Sequence, residues 1–250
     1  MISDLLESIS TFTVLPAKRN IAQSGDSTPP SDKNRARVLG FLPLSGVIYG
    51  LIAAGLVWGL HADTSILVAW LIPVIWFFLS GAQPFSSLCR VGGALFAKSK
   101  TAAAETLSRE SFTGLGMSVG LILLSGEFFA LIQGSAVPRP RLGMVVFFVP
   151  IVSRCAAVIF GGATWGRNPE SGFGGHRYTS YGIALVITAL AAIASIETAL
   201  VLFVVALLSG TVITVVLTAR AGAVPASSLG AIILFNEIVT LWIGVLYSLM

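Results

Sequence analysis

Apolar runs approaching 20 residues recur along most of this 250-residue chain, and no other feature restricts its fold so tightly. A run of that length matches the thickness of a bilayer core when wound as a helix. A membrane β-barrel would instead show short alternating segments, which are absent. Charged residues make up 10% of the chain and hydrophobic residues 55%, with a mean hydropathy of +0.91. Soluble domains carry roughly 25% charged residues. These features predict an all-α, polytopic membrane bundle.

Residues 1–19 place Ile2, Leu5, Leu6, Ile9 and Phe12 at helical spacing, which predicts an amphipathic helix on the membrane surface or packed on the bundle. Asp4 and Glu7 and the lack of a basic start argue against a signal peptide. Residues 20–37 form a polar linker rich in Ser, Pro and Asp. A single transmembrane domain follows over 38–250. About seven spans are expected within it, at 38–60, 64–80, 115–133, 142–163, 180–197, 198–218 and 228–249. The fifth and sixth are joined by a tight turn at Ile196-Glu197-Thr198.

Basic residues then orient the bundle. With a cytoplasmic N-terminus, twelve lie inside: Lys18, Arg19, Lys33, Arg35, Arg37, Arg90, Lys98, Lys100, Arg109, Arg167, Arg177 and Arg220. Only Arg139 and Arg141 fall outside, while Arg154 lies in a span. The expected setting is the cytoplasmic (inner) membrane, crossed several times, with the N-terminus and loop 81–114 cytoplasmic. The net charge of +4 is accounted for by this topology, and no basic run of five points to nucleic acid. Cys89 and Cys155 read as small packing residues. No internal repeat of the kind found in many transporters is evident.

Charge inside a bilayer costs several kcal/mol, so three spans draw attention. They carry Glu127, Arg154, and Glu237 beside Asn236. Arg154 and Glu237 read either as an ion pair joining helices or as a polar site facing a cytoplasmic cavity. Glu127 reads as a structural residue near the outer interface. The loop TWGRNPESGFGGHRYT, residues 164–179, groups Arg167, His176 and Arg177 around three glycines. Such a loop either cradles a phosphate through exposed N–H groups or merely connects spans. AKSKTAAAETLSRES predicts an amphipathic helix in loop 81–114, and Glu110 follows as the carboxylate best placed to meet a metal or phosphate. The stretch after the second span, with Phe85, Leu88 and Val91 among small residues, is compatible with a re-entrant segment.

Several of these segments resemble the cobalamin-5′-phosphate synthase family (adenosylcobinamide-GDP ribazoletransferases), and the resemblance covers nearly the whole chain. LLESISTFTVLPA is similar to the family's opening, and LGFLPLSGVIYGLIAA to its first span. VPIVSRCAAV resembles the segment carrying the family arginine, placing it at Arg154. SSLGAIILFNEIVTL resembles the family ending, placing its glutamate at Glu237. The family's aspartate-rich motif falls on QPFSSLCRVGGA, where Pro84, Ser86, Arg90 and Gly93 replace its histidine and three aspartates. Arg109-Glu110-Ser111 stands where a Lys-Asp-Ser element is usual, and Ser227 where an aspartate is usual.

The resemblance implies transfer of adenosylcobinamide phosphate from adenosylcobinamide-GDP to α-ribazole or its 5′-phosphate, with release of GMP. Corrinoid and nucleotide-type molecules would be its small-molecule partners and the bilayer its medium, with assembly as a homo-oligomer left open. It further implies Glu110, Arg154 and Glu237 as catalytic residues, with Glu110 and Glu237 holding Mg2+. Arg90, Arg109, Ser111, Arg167, His176 and Arg177 would meet substrate. Two other readings remain beside this one. The chain is then an inactive paralogue binding a corrinoid or a pathway partner, or a small transporter component.

Overall fold

The computed structural model describes residues 37–60, 65–109, 113–165 and 177–250, which are helical with short turns and contain no strand. Helices α1 to α5 span Leu42–Gly59, Ser65–Leu79, Gln83–Leu95, Lys100–Ser108 and Gly114–Gly134. Helices α6 to α9 span Arg139–Trp165, Arg177–Ala192, Ile196–Ala221 and Leu229–Leu249, the last preceded by a 3-10 turn at Ala226–Ser228. The expected all-α membrane bundle is the architecture observed. The N-terminal helix and linker expected over 1–37 fall almost wholly outside the described residues.

α6 is the hub. In its most apolar stretch 83% of the residues are buried, against 28% in α5 and 33% in α8. Those outer helices present Leu121, Ile122 and Phe129, and Leu200, Leu208 and Val212, away from the bundle. Lipid tails are as apolar as leucine, so helices in a bilayer associate through close packing rather than through hydrophobic burial. α1 meets α6 in that way. A Cβ on Gly46 would lie 2.4 Å from the Pro150 carbonyl oxygen, and one on Gly50 would lie 2.2 Å from that of Phe147. Backbone therefore rests on backbone. α5 approaches α3 similarly, with Gly116 against the Cys89 carbonyl and Gly120 against its sulfur.

Among the described residues five helices are long and apolar enough to cross a membrane unaided: α1 extended back to Arg37, α5, α6, α8, and α9 with its 3-10 lead. The spans expected at 64–80 and 180–197 are present as the shorter helices α2 and α7. α2 has 15 residues, about 22 Å of rise, and reaches span length only together with α3, across an 89° bend. α7 has 16 residues and is likewise short. The turn expected at 196–198 falls at 193–195 instead. Glu197 thereby enters the first turn of α8, where a carboxylate is favoured by the helix dipole.

The bend between α2 and α3 has a local cause. Gly81 and Ala82 both take left-handed conformations, with φ of 61° and 59°, and the chain turns sharply there. Pro84 then falls in the first turn of α3, the position where a missing N–H costs nothing. The expected loop 81–114 thus contains two helices: α3, which buries Leu88, Val91 and Ala94, and α4. Ser99 caps α4 by accepting from the Ala102 N–H at 3.2 Å. The expected amphipathic helix is present as α4.

Candidate functional site

Two features bring α3 to the head of α9. Gly230 lets the helices approach until a Cβ there would lie 2.8 Å from Pro84 Cα and from Ser87 Oγ. The Ser227 hydroxyl, just before α9, donates to the Leu107 carbonyl at 3.0 Å and ties α4 to the same corner. Between these elements and α6 lies a cavity of about 240 Å³. Its polar lining comes from Ser80, Gln83, Ser86, Ser87, Arg90, Arg154 and Ser227.

Two arginines reach this cavity. Arg90 is held loosely. Its Nη1 donates to the Arg109 carbonyl at 3.4 Å and its Nη2 to Ser87 Oγ at 3.5 Å. Its Nε is buried without a partner. Arg154 is held firmly. Its Nη1 donates to the Pro150 carbonyl at 3.0 Å and forms a short, buried ion pair with Glu237 Oε1. The Tyr49 ring lies under the guanidinium, 4.3 Å from ring centroid to Cζ. Glu237 is eight residues into α9, about 12 Å below its start, so the pair lies below the polar head of the cavity.

Arg154 also lines a second, small cavity of about 20 Å³, shared with Glu237 and Glu127. Glu127 is 2% exposed, and its Oε1 has no hydrogen-bond partner. This corrects its expected place near the outer interface: it faces the Arg154–Glu237 pair from α5. The sequence carries no signal for this meeting, because Glu127 and Glu237 approach only through packing of α5 on α9. Tyr49 and Ser87 were likewise not singled out by sequence.

The remaining expected residues divide. Arg109 is exposed and forms an i,i+4 ion pair with Glu105 at 2.5 Å, so only its carbonyl touches Arg90. Arg177 begins α7. Glu110, Ser111, Arg167 and His176 lie outside the described residues. Of the two expected magnesium ligands, Glu237 is committed to Arg154 and Glu110 is not described. Among the described residues no group of three His, Cys, Asp or Glu side chains is placed to hold a metal. Two guanidiniums with serine hydroxyls make a donor set for an anion, and these side chains do not fit magnesium.

Three of the positions where the resemblance expects aspartates line this cavity, whereas Gly93 does not. Ser86 and Arg90 of α3 and Ser227 of the 3-10 turn before α9 line it together. A family model described as cobalamin-5-phosphate synthase matches residues 4–245. An adenosylcobinamide-GDP ribazoletransferase of Corynebacterium efficiens is 32% identical over 144 residues, covering 56% of this chain and 50% of the relative. The matched region thus spans about half the length of that curated relative. No solved structure matches.

Proposed function

The chain belongs to the cobalamin-5-phosphate synthase family, and from that premise we propose that its cavity binds the phosphate or pyrophosphate of a corrinoid–nucleotide substrate in cobalamin biosynthesis. One observation carries the reading: Arg90 of α3 and Arg154 of α6 line a single cavity together with serine side chains. Planar guanidiniums suit phosphate oxygens, and a site partly withdrawn from water strengthens the contact.

The reaction proposed at this cavity joins adenosylcobinamide-GDP to α-ribazole or its 5′-phosphate. An oxygen of the ribazole partner bonds to the phosphorus next to the corrinoid, the bond to the departing phosphate breaks, and GMP leaves with that electron pair. The proton of the attacking hydroxyl passes to solvent. Arg90 and Arg154 hold the pyrophosphate oxygens and offset the developing charge. The excess of basic residues on the segments around this end of the bundle supports a cytoplasmic orientation, where a nucleotide substrate would arrive.

A second reading, binding without transfer, is favoured by a specific observation. Glu237, one of the two carboxylates that the resemblance assigns to magnesium, is already paired with Arg154, and the resemblance sets Pro84, Ser86, Arg90 and Gly93 against the aspartate-rich motif. One experiment separates the readings. Purified protein is given adenosylcobinamide-GDP and α-ribazole with magnesium present, GMP release is followed, and the thermal midpoint is measured with inorganic pyrophosphate. Pyrophosphate should raise the midpoint of the wild type and not of Arg90→Ala. An unchanged wild-type midpoint at saturating pyrophosphate refutes the cavity reading. Binding with GMP release supports transfer, whereas binding without it assigns the second reading.

A further inference from the structure

At the opposite end of the bundle, three helix ends enclose a second polar cavity of about 300 Å³. The start of α6 contributes Arg141, the start of α8 contributes Glu197 and Thr198, and the last turn of α9 contributes Tyr247 and Ser248. α9 runs from the first cavity to this one, about 30 Å at the rise of an α-helix. These helices are all of membrane-crossing length, so their shared end lies at the level of lipid headgroups. Nothing in the proposed reaction uses this cavity.

Its charges are arranged for a ligand with two ends. Arg141 and Glu197 line the same space, yet no ion pair joins them. Arg141 Nη1 instead makes a contact at the outer limit of hydrogen bonding, 3.5 Å, to the Ser248 carbonyl. The Tyr247 hydroxyl donates to Glu197 Oε1 in a short bond, which fixes that carboxylate and leaves Oε2 for another donor. Arg139 and Arg141 also sit in the first turn of α6, where cations oppose the helix dipole and an anion would be favoured. Beneath the polar rim, Leu200 and Val204 of α8 and Leu246 of α9 are exposed, an apolar flank along which acyl chains would run.

We propose that this cavity binds the headgroup of a phospholipid carrying a primary ammonium, of the phosphatidylethanolamine type. The lipid phosphate meets the Arg141 guanidinium, with the α6 dipole favouring its charge. The ammonium donates to Glu197 Oε2 and Thr198 Oγ1. A choline headgroup has no N–H to donate, and a glycerol headgroup has no cation for Glu197, so both bind more weakly.

The test uses the full chain, delipidated in mild detergent, with added dioleoyl phosphatidylethanolamine, phosphatidylcholine or phosphatidylglycerol. Phosphatidylethanolamine at a hundredfold excess over its Kd should raise the thermal midpoint by roughly 5 °C, and the other two should raise it less. Native mass spectrometry of the wild type in an equimolar mixture should retain phosphatidylethanolamine preferentially. Arg141→Ala should abolish the shift. Glu197→Gln should reduce the phosphatidylethanolamine shift to that of phosphatidylcholine. Soluble glycerophosphoethanolamine should give no shift at lipid-saturating concentration, since it lacks the chains. Equal retention of the three lipids by the wild type overturns the proposal whatever the variants do. So does Glu197→Gln that keeps the full preference.

Discussion

Severing the buried pair tests whether Arg154 and Glu237 act as a unit. Both side chains are about 95% buried. Removing one partner of such a pair typically costs about 3–5 kcal/mol, because the other charge stays buried alone. The two single variants should differ. In Glu237→Gln the guanidinium keeps the Pro150 carbonyl and the Tyr49 ring, so the cost should fall at the lower end, about 3 kcal/mol. Arg154→Met also loses that ring contact, worth about 1–2 kcal/mol when desolvated, and leaves Glu127 and Glu237 facing one cavity without a cation. Its cost should reach about 5 kcal/mol or more. The double variant Arg154→Met/Glu237→Leu removes both charges and should cost at least about 2 kcal/mol less than the sum of the singles. The assay is SDS-driven unfolding in mixed micelles, followed by tryptophan fluorescence. Additivity within about 0.5 kcal/mol would mean that the pair is not energetically coupled, and the reasoning would fail.

Other expectations follow from the same geometry. Glu127→Gln should be tolerated within about 1 kcal/mol in wild-type protein and should stabilise the Arg154→Met background, because it removes one uncompensated carboxylate; a destabilised Arg154→Met/Glu127→Gln protein would contradict the shared cavity. Gly50→Leu should lower stability by about 3 kcal/mol or prevent assembly, since its Cβ would lie 2.2 Å from the Phe147 carbonyl oxygen; the same unfolding assay reads it. Gly55→Ala on the same helix meets nothing within 4 Å and should be neutral or stabilising by up to about 1 kcal/mol. Gly222→Ala should cost about 1 kcal/mol, because φ of +79° at the C-cap of α8 strains any side chain.

Sequence reading reached the fold where a single physical demand dominates. A helix that crosses lipid must be apolar for its whole length, so α1, α5, α6, α8 and α9 are visible as long runs. It failed where two demands compete. α3 holds Phe85, Leu88, Val91 and Leu95 at helical spacing, but its 13 residues are too few for a span and too small and mixed to read as a core helix. The bend before it depends on Ala82 adopting a left-handed conformation, which no propensity favours. At the site, Arg154 and Glu237 were legible as buried charges that require partners. That Glu127 joins them was not, because two glutamates 110 positions apart meet only through helix packing.

The residues that the resemblance sets against the family's aspartates are informative because of where they lie. Had Ser86, Arg90 and Ser227 scattered on folding, their departure from the family pattern would be simple loss. They instead line one cavity with Arg154, so two guanidiniums and several serine hydroxyls share it. A cavity walled by carboxylates recruits phosphate through a cation between them. One walled by guanidiniums takes the phosphate directly, and its affinity should fall as salt rises, in proportion to how far each arginine is exposed to screening. Arg90, partly buried and held by long hydrogen bonds, should supply the salt-sensitive part. Arg154, buried against Glu237, should supply a part that salt barely touches. Pyrophosphate affinity measured against ionic strength should therefore fall more steeply in wild type than in Arg90→Lys only if the longer, fixed reach of the guanidinium is what contacts the anion. Equal slopes and equal affinities would show that position 90 contributes charge alone.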